Sequence, residues 1–295
     1  MRILITGGTG FIGVPLCRHL ERAGHEVVVW SRDPDAARDR LPADVAAVGR
    51  PEDAGRVDAA VNLAGESLGD GRWNAARRRR IIESRIETTR RLVDWMAQAG
   101  VQHLVSASAI GYYGVRGDEP VSEDDPPASR LQGGLDVCAP WEAEARRAEE
   151  AGARVAIVRI GLVLHPEGGG LQQMLTPFRL GIGGPMGSGR QCWSWIHRHD
   201  LVRLFTFLLE HPEAHGVFNG TAPNPVSQRA FAQALGRVLR RPSFMPTPAF
   251  ALRAAFGDMA ELLTEGQCVL PKRTEAAGFT FEHRELERAL RDLLR

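Results

Sequence analysis

The residues best suited to chemistry stand at the start of the chain. Thr6–Gly13 reads TGGTGFIG. Gly7, Gly10 and Gly13 satisfy G-x-x-G-x-x-G, and Gly8, Gly10 and Gly13 satisfy G-x-G-x-x-G. Glycines at this spacing permit a tight turn and let the backbone come close to a ligand. A helix opening just beyond would turn its free N–H groups and its positive dipole end towards that ligand. The chemistry this suits is the cradling of a pyrophosphate. The pattern is specific only with a strand before it and a helix after it. Both are expected here. Arg2–Thr6 is a short apolar run, and Ile12–Ala23 carries apolar residues at helical spacing and stops at Gly24.

The end of the second expected strand, His25–Trp30, selects the ligand. Dinucleotide sites that take NAD usually place a carboxylate there for the ribose 2′-hydroxyl. Here the residues are Ser31 and Arg32. A hydroxyl and a guanidinium suit a 2′-phosphate, which a carboxylate would repel. Asp33, followed by Pro34, reads as turn chemistry. The expectation is therefore NADP(H). Its contacts would be Gly7, Thr9, Gly10, Phe11, Ile12 and Gly13 from the loop, Ser31 and Arg32, and Leu63, Ala64 and Gly65 from the small-residue turn after Asn62.

Strand and helix signals alternate through the first half. Asp58–Leu63, His103–Ser108 and Arg154–Leu164 read as strands, and Arg77–Ala99 and Leu135–Ala151 as helices, each helix ending just before a glycine. This alternation predicts an α/β fold with a Rossmann-type, doubly wound parallel sheet. After Leu164 the pattern changes. Glycine- and proline-rich stretches at His165–Gly170 and Gly181–Arg190 separate helices expected at Leu171–Leu180, Asp200–Glu210 and Gln228–Leu239. Pro242–Pro248 reads as a connector, and a last helical block runs to Arg295. The expected division is 1–165 for the dinucleotide, with sheet elements returning from later segments, and 166–295 as a smaller C-terminal α/β substrate lobe.

Composition narrows the class. The 295 residues suffice for a buried core. Net charge is +1, so no global field draws in nucleic acid or an anionic membrane. The four cysteines, Cys17, Cys138, Cys192 and Cys268, form no C-x-x-C pair, which argues against a zinc knuckle or redox dithiol, and nothing suggests a secreted disulfide scaffold. No apolar run approaches the roughly 20 residues that span a bilayer. No signal-peptide pattern precedes the glycine motif. The expectation is a cytoplasmic protein, monomer or homodimer, with a small-molecule substrate and no metal, nucleic-acid or membrane partner.

Several other residues could bear on a ligand. Trp193, Trp195 and His197 alternate in an extended stretch, so they share a face, either as an aromatic wall over a substrate or as core between lobes. Arg190 stands beside a glycine-rich loop. Arg190, Trp193 and His197 are taken as substrate candidates. The run Arg77–Arg80 reads as a solvated helix face, with Glu83 and Glu87 as i,i+4 partners. Glu123-Asp124-Asp125 reads as a loop without the convergence a metal needs.

Together, TGGTGFIG, the Ser31-Arg32 pair, Asn62-Leu63-Ala64-Gly65 and Ser106-Ala107-Ser108 followed by Tyr112 resemble the extended short-chain dehydrogenase/reductases, the NAD-dependent epimerase/dehydratase superfamily. Arg77–Thr89, Arg159–Leu164, Pro177–Gly189, Trp193–His197 and Phe218–Pro225 look like its "epimerase family protein" branch. That branch ends in a domain of unknown function, matched at about 248–295. The resemblance implies NADP(H), with Arg85 and Leu162 as further cofactor neighbours, and an oxidoreductase or epimerase acting on a small polar or nucleotide-sugar-like substrate. In that superfamily a serine after the fifth strand works with a Tyr-x-x-x-Lys pair. Ser108 matches the serine. The pair does not exist here: the tyrosines are Tyr112 and Tyr113, the sole lysine is Lys272, and Val137 and Trp141 stand about where the pair would be. Ser108 with Tyr112 or Tyr113 is the expected catalytic set. His197 or Glu123 in the acid/base role is one alternative. A non-catalytic NADP(H)-binding regulator or sensor is the other.

Overall fold

The computed structural model describes residues 1–69, 71–129 and 136–294. In chain order the strands are β1 (Arg2–Thr6), β2 (Glu26–Trp30), β3 (Ala46–Val48), β4 (Ala59–Asn62), β5 (His103–Ala109), β6 (Pro120–Val121), β7 (Arg154–Ile160), β8 (Leu162–Leu164), β9 (Cys192–Trp193), β10 (Trp195–His197), β11 (Gly216–Gly220), β12 (Val226–Ser227) and β13 (Cys268–Val269). The helices are α1 (Gly13–Arg22), α2 (Pro34–Arg38), α3 (Ala75–Ala99), α4 (Cys138–Glu150), α5 (Gly169–Arg179), α6 (Arg198–Glu210), α7 (Gln228–Leu239), α8 (Ala249–Phe256), α9 (Ala260–Thr264), α10 (Lys272–Ala276) and α11 (Leu286–Leu294).

Seven parallel strands form the main sheet among the described residues, in the order β3-β2-β1-β4-β5-β7-β11. Runs such as Ile3-Leu4-Ile5 and Val27-Val28-Val29 suit this sheet because both of its faces are covered. On one face, Ile3, Ile5, Val27, Val29, Val61 and Val105 pack with Leu16 and Leu20 of α1 and Leu201, Phe205 and Leu208 of α6. On the other, Leu4, Val28, Ala60 and Leu104 pack with Leu92, Val93 and Met96 of α3 and Ala145 and Ala148 of α4. Each fully buried Leu or Ile contributes about 1.5–3 kcal/mol relative to exposure, so these two layers fix the sheet.

Strand order reverses at β1, with β2 on one side and β4 on the other. Ligands of open α/β sheets bind in the crevice beyond the carboxyl ends at such a reversal. The register lines up Trp30, Thr6, Asn62 and Ser106 there, then pairs Ser108 with Arg159 and Arg159 with Asn219.

The structure corrects several expectations. Arg154–Leu164 is not one strand. Gly161 breaks it: β7 pairs with β5 and β11, whereas β8 pairs with β10. A Cβ at Gly161 would stand 2.6 Å from the Ser194 carbonyl oxygen and 2.8 Å from Thr221 Cγ2, so only glycine lets the chain cross between the two sheets. The strands β3 and β11 were not foreseen as such, although a return of later segments to the sheet was. β11 comes from the second half and closes one sheet edge, and Phe279 and Phe281 join the core beside α6. Leu135, the expected start of the helix observed as α4, and Arg295 lie outside the described residues. Nothing in the sequence pointed to a disulfide, yet Cys192 and Cys268 form one, while Cys17 and Cys138 are buried and free.

A second core holds Trp193 of β9 and Trp195 of β10, Leu171, Leu175 and Phe178 of α5, Phe231 and Leu235 of α7, and Leu286 and Leu290 of α11. Among the described residues no helix is long and apolar enough to cross a membrane.

Candidate active site

The glycine turn follows from β1 directly. Gly7 has φ +70°, and a Cβ there would meet the Leu63 carbonyl oxygen at 2.5 Å. A Cβ at Gly13 would run into the Gly7 carbonyl oxygen and the Gly8 backbone. The turn closes with Gly10 N–H donating to Gly7 O at 3.0 Å and Val14 N–H donating to Gly10 O at 3.1 Å. α1 therefore starts tight against the sheet with no side-chain cap on its first N–H groups. Ser31 and Asp33 bond to each other, and Asp33 caps α2 by accepting from Ala36 N–H at 3.0 Å. Asp33 is thus occupied by the turn. Arg32 is exposed and has no ion-pair partner among the described residues. Leu63, Ala64 and Gly65 follow β4 beside the loop, with Leu63 N–H donating to Thr6 O at 3.0 Å. Thr9, Phe11 and Ile12 are half-buried. Arg198 lies 5.1 Å over the Phe11 ring. Leu162 is half-buried in β8.

A buried polar chain ties the strand ends to the helices. Thr6 Oγ1 donates to Asn62 Oδ1 at 2.7 Å, Asn62 Nδ2 donates to Thr89 Oγ1 at 2.7 Å, and Trp141 Nε1 donates to the same oxygen at 2.9 Å. Thr89 in turn donates to the Arg85 carbonyl at 2.7 Å. Trp141 therefore packs as a bonded core residue.

Next to it lies a group that sequence reasoning missed. Ser108 is 2 % exposed, and its Oγ donates to Glu142 Oε1 at 2.7 Å. The same carboxylate accepts from Arg159 Nε at 2.8 Å and Nη2 at 2.9 Å. Burial opposes the Arg159 charge, but the hydrogen bonds and charge of Glu142 outweigh it and hold the guanidinium more firmly protonated than usual. The guanidinium lies 3.3 Å from the Tyr112 ring centre and 4.8 Å from that of Tyr113. A signal for Arg159 was present, since one arginine inside the apolar run Val155–Leu164 must find a partner when buried. Glu142, one residue beyond Trp141 on an ordinary charged helix, gave none.

The tyrosines divide. Tyr113 is fully buried and donates to Asn219 Oδ1 at 2.8 Å, and burial pushes its phenol up to about 12. Asn219 is itself held by Glu123 Oε1, which accepts its N–H at 3.0 Å. Tyr113 and Glu123 are therefore bound into the structure. Tyr112 is half-buried and lines a cavity of about 190 Å³ with Gly111, Pro127, Ala128, Ser129, Asp136, Cys138 and Ala139.

The three substrate candidates sit elsewhere. Trp193 is buried against Phe231 at 5.1 Å between ring centres, and Trp195 is in the same core. Arg190 is exposed. His197 stacks on His283 at 3.7 Å, with Asp292 Oδ2 at 3.4 Å from its Nε2. His197, His283 and Asp292 are grouped as a metal would require, but His197 Nδ1 accepts from His199 N–H at 3.1 Å. The proton of the neutral ring then sits on Nε2, which leaves no lone pair there for a metal. In the arginine run, Arg79 pairs with Glu83, while Arg77 and Arg80 pair with Glu66 and Arg78 with Asp258. Glu87 pairs with Arg90 instead.

Comparison with known proteins agrees with this geometry. A model of the NAD dependent epimerase/dehydratase family matches residues 3–219, and a model of a domain of unknown function (DUF1731) matches residues 247–293. The "Epimerase family protein SDR39U1" of Bos taurus is 41% identical over 100% of both chains. The crystal structure of the human epimerase family protein SDR39U1 with NADPH is 37% identical, with a TM-score of 0.87 over 99% of both chains. A structure described as the nucleoside-diphosphate sugar epimerase from Corynebacterium glutamicum is 29% identical, with a TM-score of 0.79 over 100% of this chain and 58% of that one.

Two outcomes follow. Glu142→Ala leaves Arg159 buried and unpaired, and urea unfolding should show a loss of about 3–5 kcal/mol. Replacing both residues together by apolar ones should cost much less, and a loss below about 1 kcal/mol for Glu142→Ala would contradict the pairing. The second concerns pH. Burial first, then Arg154 beside His103 and His283 beside His197, lowers both histidines from 6.5 to about 4. The unfolded chain binds these protons first on acidification, so the stability is complete above about pH 6.5 and falls from there towards pH 4. The urea midpoint should drop between pH 7 and pH 5, less steeply in His197→Asn. A flat midpoint would show these rings are not held neutral.

Proposed function

The chain belongs to the NAD dependent epimerase/dehydratase family, and from that premise we propose that it is an NADP(H)-dependent oxidoreductase or epimerase of the extended short-chain dehydrogenase/reductase type. The observation that carries this reading is the alignment of the glycine turn after β1 with Ser108, two strands away on the same side of the reversal, and with Tyr112 just beyond it. The related human protein was solved with NADPH, which supports the choice of cofactor. The related Corynebacterium protein is described as a nucleoside-diphosphate sugar epimerase, which supports a small polar, nucleotide-sugar-like substrate.

The residues present fit the dinucleotide. The cradle at Gly7 and Gly13 has no room for side chains. α1 opens on Gly13 without a side-chain cap, so its positive dipole end would face a pyrophosphate even though Val14 N–H is taken by Gly10 O and Pro15 has none. Thr9, Phe11 and Ile12 flank it. Ser31 and the exposed Arg32 would take the 2′-phosphate, and Leu63, Ala64, Gly65, Arg85 and Leu162 would line the remainder. When bound, NADP(H) gives or accepts a hydride. The division into 1–165 for the cofactor and 166–295 for the substrate, with the C-terminal part at about 248–295, belongs to the same proposal. So does a cytoplasmic protein working as a monomer or homodimer.

The chain's own part is proton handling. The Ser108 proton is spent on Glu142, so the free lone pairs of Oγ can accept from a substrate hydroxyl. Tyr112, held against Arg159, supplies or takes the proton at the reacting oxygen. Where a Tyr-x-x-x-Lys site has a lysine, this site has the Arg159–Glu142 pair, which holds a guanidinium against the tyrosine and orients the Ser108 hydroxyl.

For cofactor choice, titration of NADPH and NADH by fluorescence should show a preference for NADPH that Arg32→Ala reduces by about tenfold. An unchanged ratio would remove the 2′-phosphate assignment. For chemistry, NADPH consumption should be followed against a panel of carbonyl compounds and nucleotide sugars. Ser108→Ala and Tyr112→Phe should each lower kcat by about 10²-fold or more with NADPH affinity retained. Tight binding with no turnover on any member, and no effect of either substitution, would leave a regulator that only binds the cofactor.

A further inference from the structure

Among the described residues, two arginines are buried beside the crevice, and they differ in one respect. Arg159 has the Glu142 carboxylate on two of its nitrogens. Arg85, 9 % exposed on α3, has none. Its Nη1 donates to the Ile81 carbonyl at 3.0 Å and its Nη2 to the Glu66 carbonyl at 3.1 Å, and both acceptors are neutral. The Glu66 carboxylate attracts Arg85 through space, but it pairs with Arg77 and Arg80 at 3.2 and 3.4 Å and is shared among three guanidinium groups. Cys138 faces Arg85, but burial pushes that thiol up to about 12, so it brings no negative charge. Among the described residues no carboxylate forms an ion pair with Arg85. Burial lowers Arg85 itself to about 10, which still leaves it a cation at neutral pH.

The position of this lone cation is specific. The guanidinium lies 5.2 Å from the Trp141 ring centre. It also lies directly behind Gly65, where a Cβ would stand 2.8 Å from Arg85 Cζ. Gly65 follows β4, at the strand reversal where the dinucleotide is proposed to lie. The wall between that crevice and α4 therefore carries a positive charge that no ion pair neutralises among the described residues, in a low-dielectric setting.

We propose that Arg85 makes the site hold the reduced dinucleotide in preference to the oxidised one. The inference rests on the NADP(H) reading above and deepens it. The phosphates are the same in both forms, so their attraction to Arg85 cancels in a comparison. Only the nicotinamide ring differs: it is a cation when oxidised and neutral when reduced. A fixed buried cation without a counter-ion disfavours a second cation nearby. Arg159 does not have this effect, because Glu142 neutralises it. The protein is then poised with its hydride donor loaded, which suits reduction of a carbonyl better than oxidation of an alcohol.

The test is calorimetric titration of the full chain with NADPH and with NADP⁺ at one ionic strength, in wild type, Arg85→Lys, Arg85→Met and Arg85→Gln. Wild type should bind NADPH more tightly than NADP⁺. Arg85→Lys should keep most of that ratio, and the two neutral variants should lower it by about tenfold. An unchanged ratio in a folded neutral variant overturns the role of Arg85 while leaving the cofactor reading intact. If neither neutral variant folds, the wild-type ratio decides, and equal or tighter binding of NADP⁺ overturns the proposal. Failure of wild type to bind either form would remove the cofactor reading and this inference together.

Discussion

The site depends on backbone lying where side chains would otherwise be. At the end of β1 the chain turns so tightly that Gly7 touches the carbonyl after β4, Gly8 touches Val29 of β2, and Gly13 touches Gly7. Any side chain at these points would push α1 away from the sheet. Because none is there, α1 opens with its uncapped, positive dipole end directly over the strand reversal. The register of the sheet then places Thr6, Asn62, Ser106 and Ser108 in order along one rim. The turn is local, yet it sets where a ligand can lie relative to every polar group that could act on it.

The chemistry along that rim is set by how buried charge is matched. Arg159 and Glu142 form a compensated pair that orients the Ser108 hydroxyl and supports Tyr112. Tyr113, adjacent in sequence, is committed to Asn219 and through it to β11 and Leu270. Two neighbouring tyrosines thus serve different ends, one packed and one facing a cavity. Arg85 is the unmatched case. A buried guanidinium bonded only to carbonyl oxygens is costly, and its position behind Gly65 gives that cost a use once a dinucleotide is bound.

Local patterns carried much of this in the sequence. TGGTGFIG, Arg2–Thr6 and Ile12–Ala23 announce a strand, a turn and a helix because glycine spacing and apolar periodicity are short-range signals. Gln228–Leu239 is legible as a helix for the same reason, and its observed limits coincide. Ala46–Val48 escaped notice because three residues make no pattern, and Gly216–Gly220 because three of its five residues are glycine or asparagine. Gly161 looked like one glycine inside a strand, since nothing local reveals that Ser194 and Thr221 lie against it. Glu142 was hidden for a different reason: its partners, Ser108 and Arg159, stand 34 and 17 residues away. Cys192 and Cys268 are 76 residues apart, and only the fold brings them together. What the sequence hides here is the pairing of distant residues.

The most direct measurement is a crystal structure of this chain grown with NADPH. The account predicts the pyrophosphate over Gly7–Gly13, the 2′-phosphate against Ser31 and Arg32, and the nicotinamide between Gly65 and Ser108 with Tyr112 beside it. A dinucleotide bound elsewhere, or one whose nicotinamide points away from Ser108 and Tyr112, would contradict it.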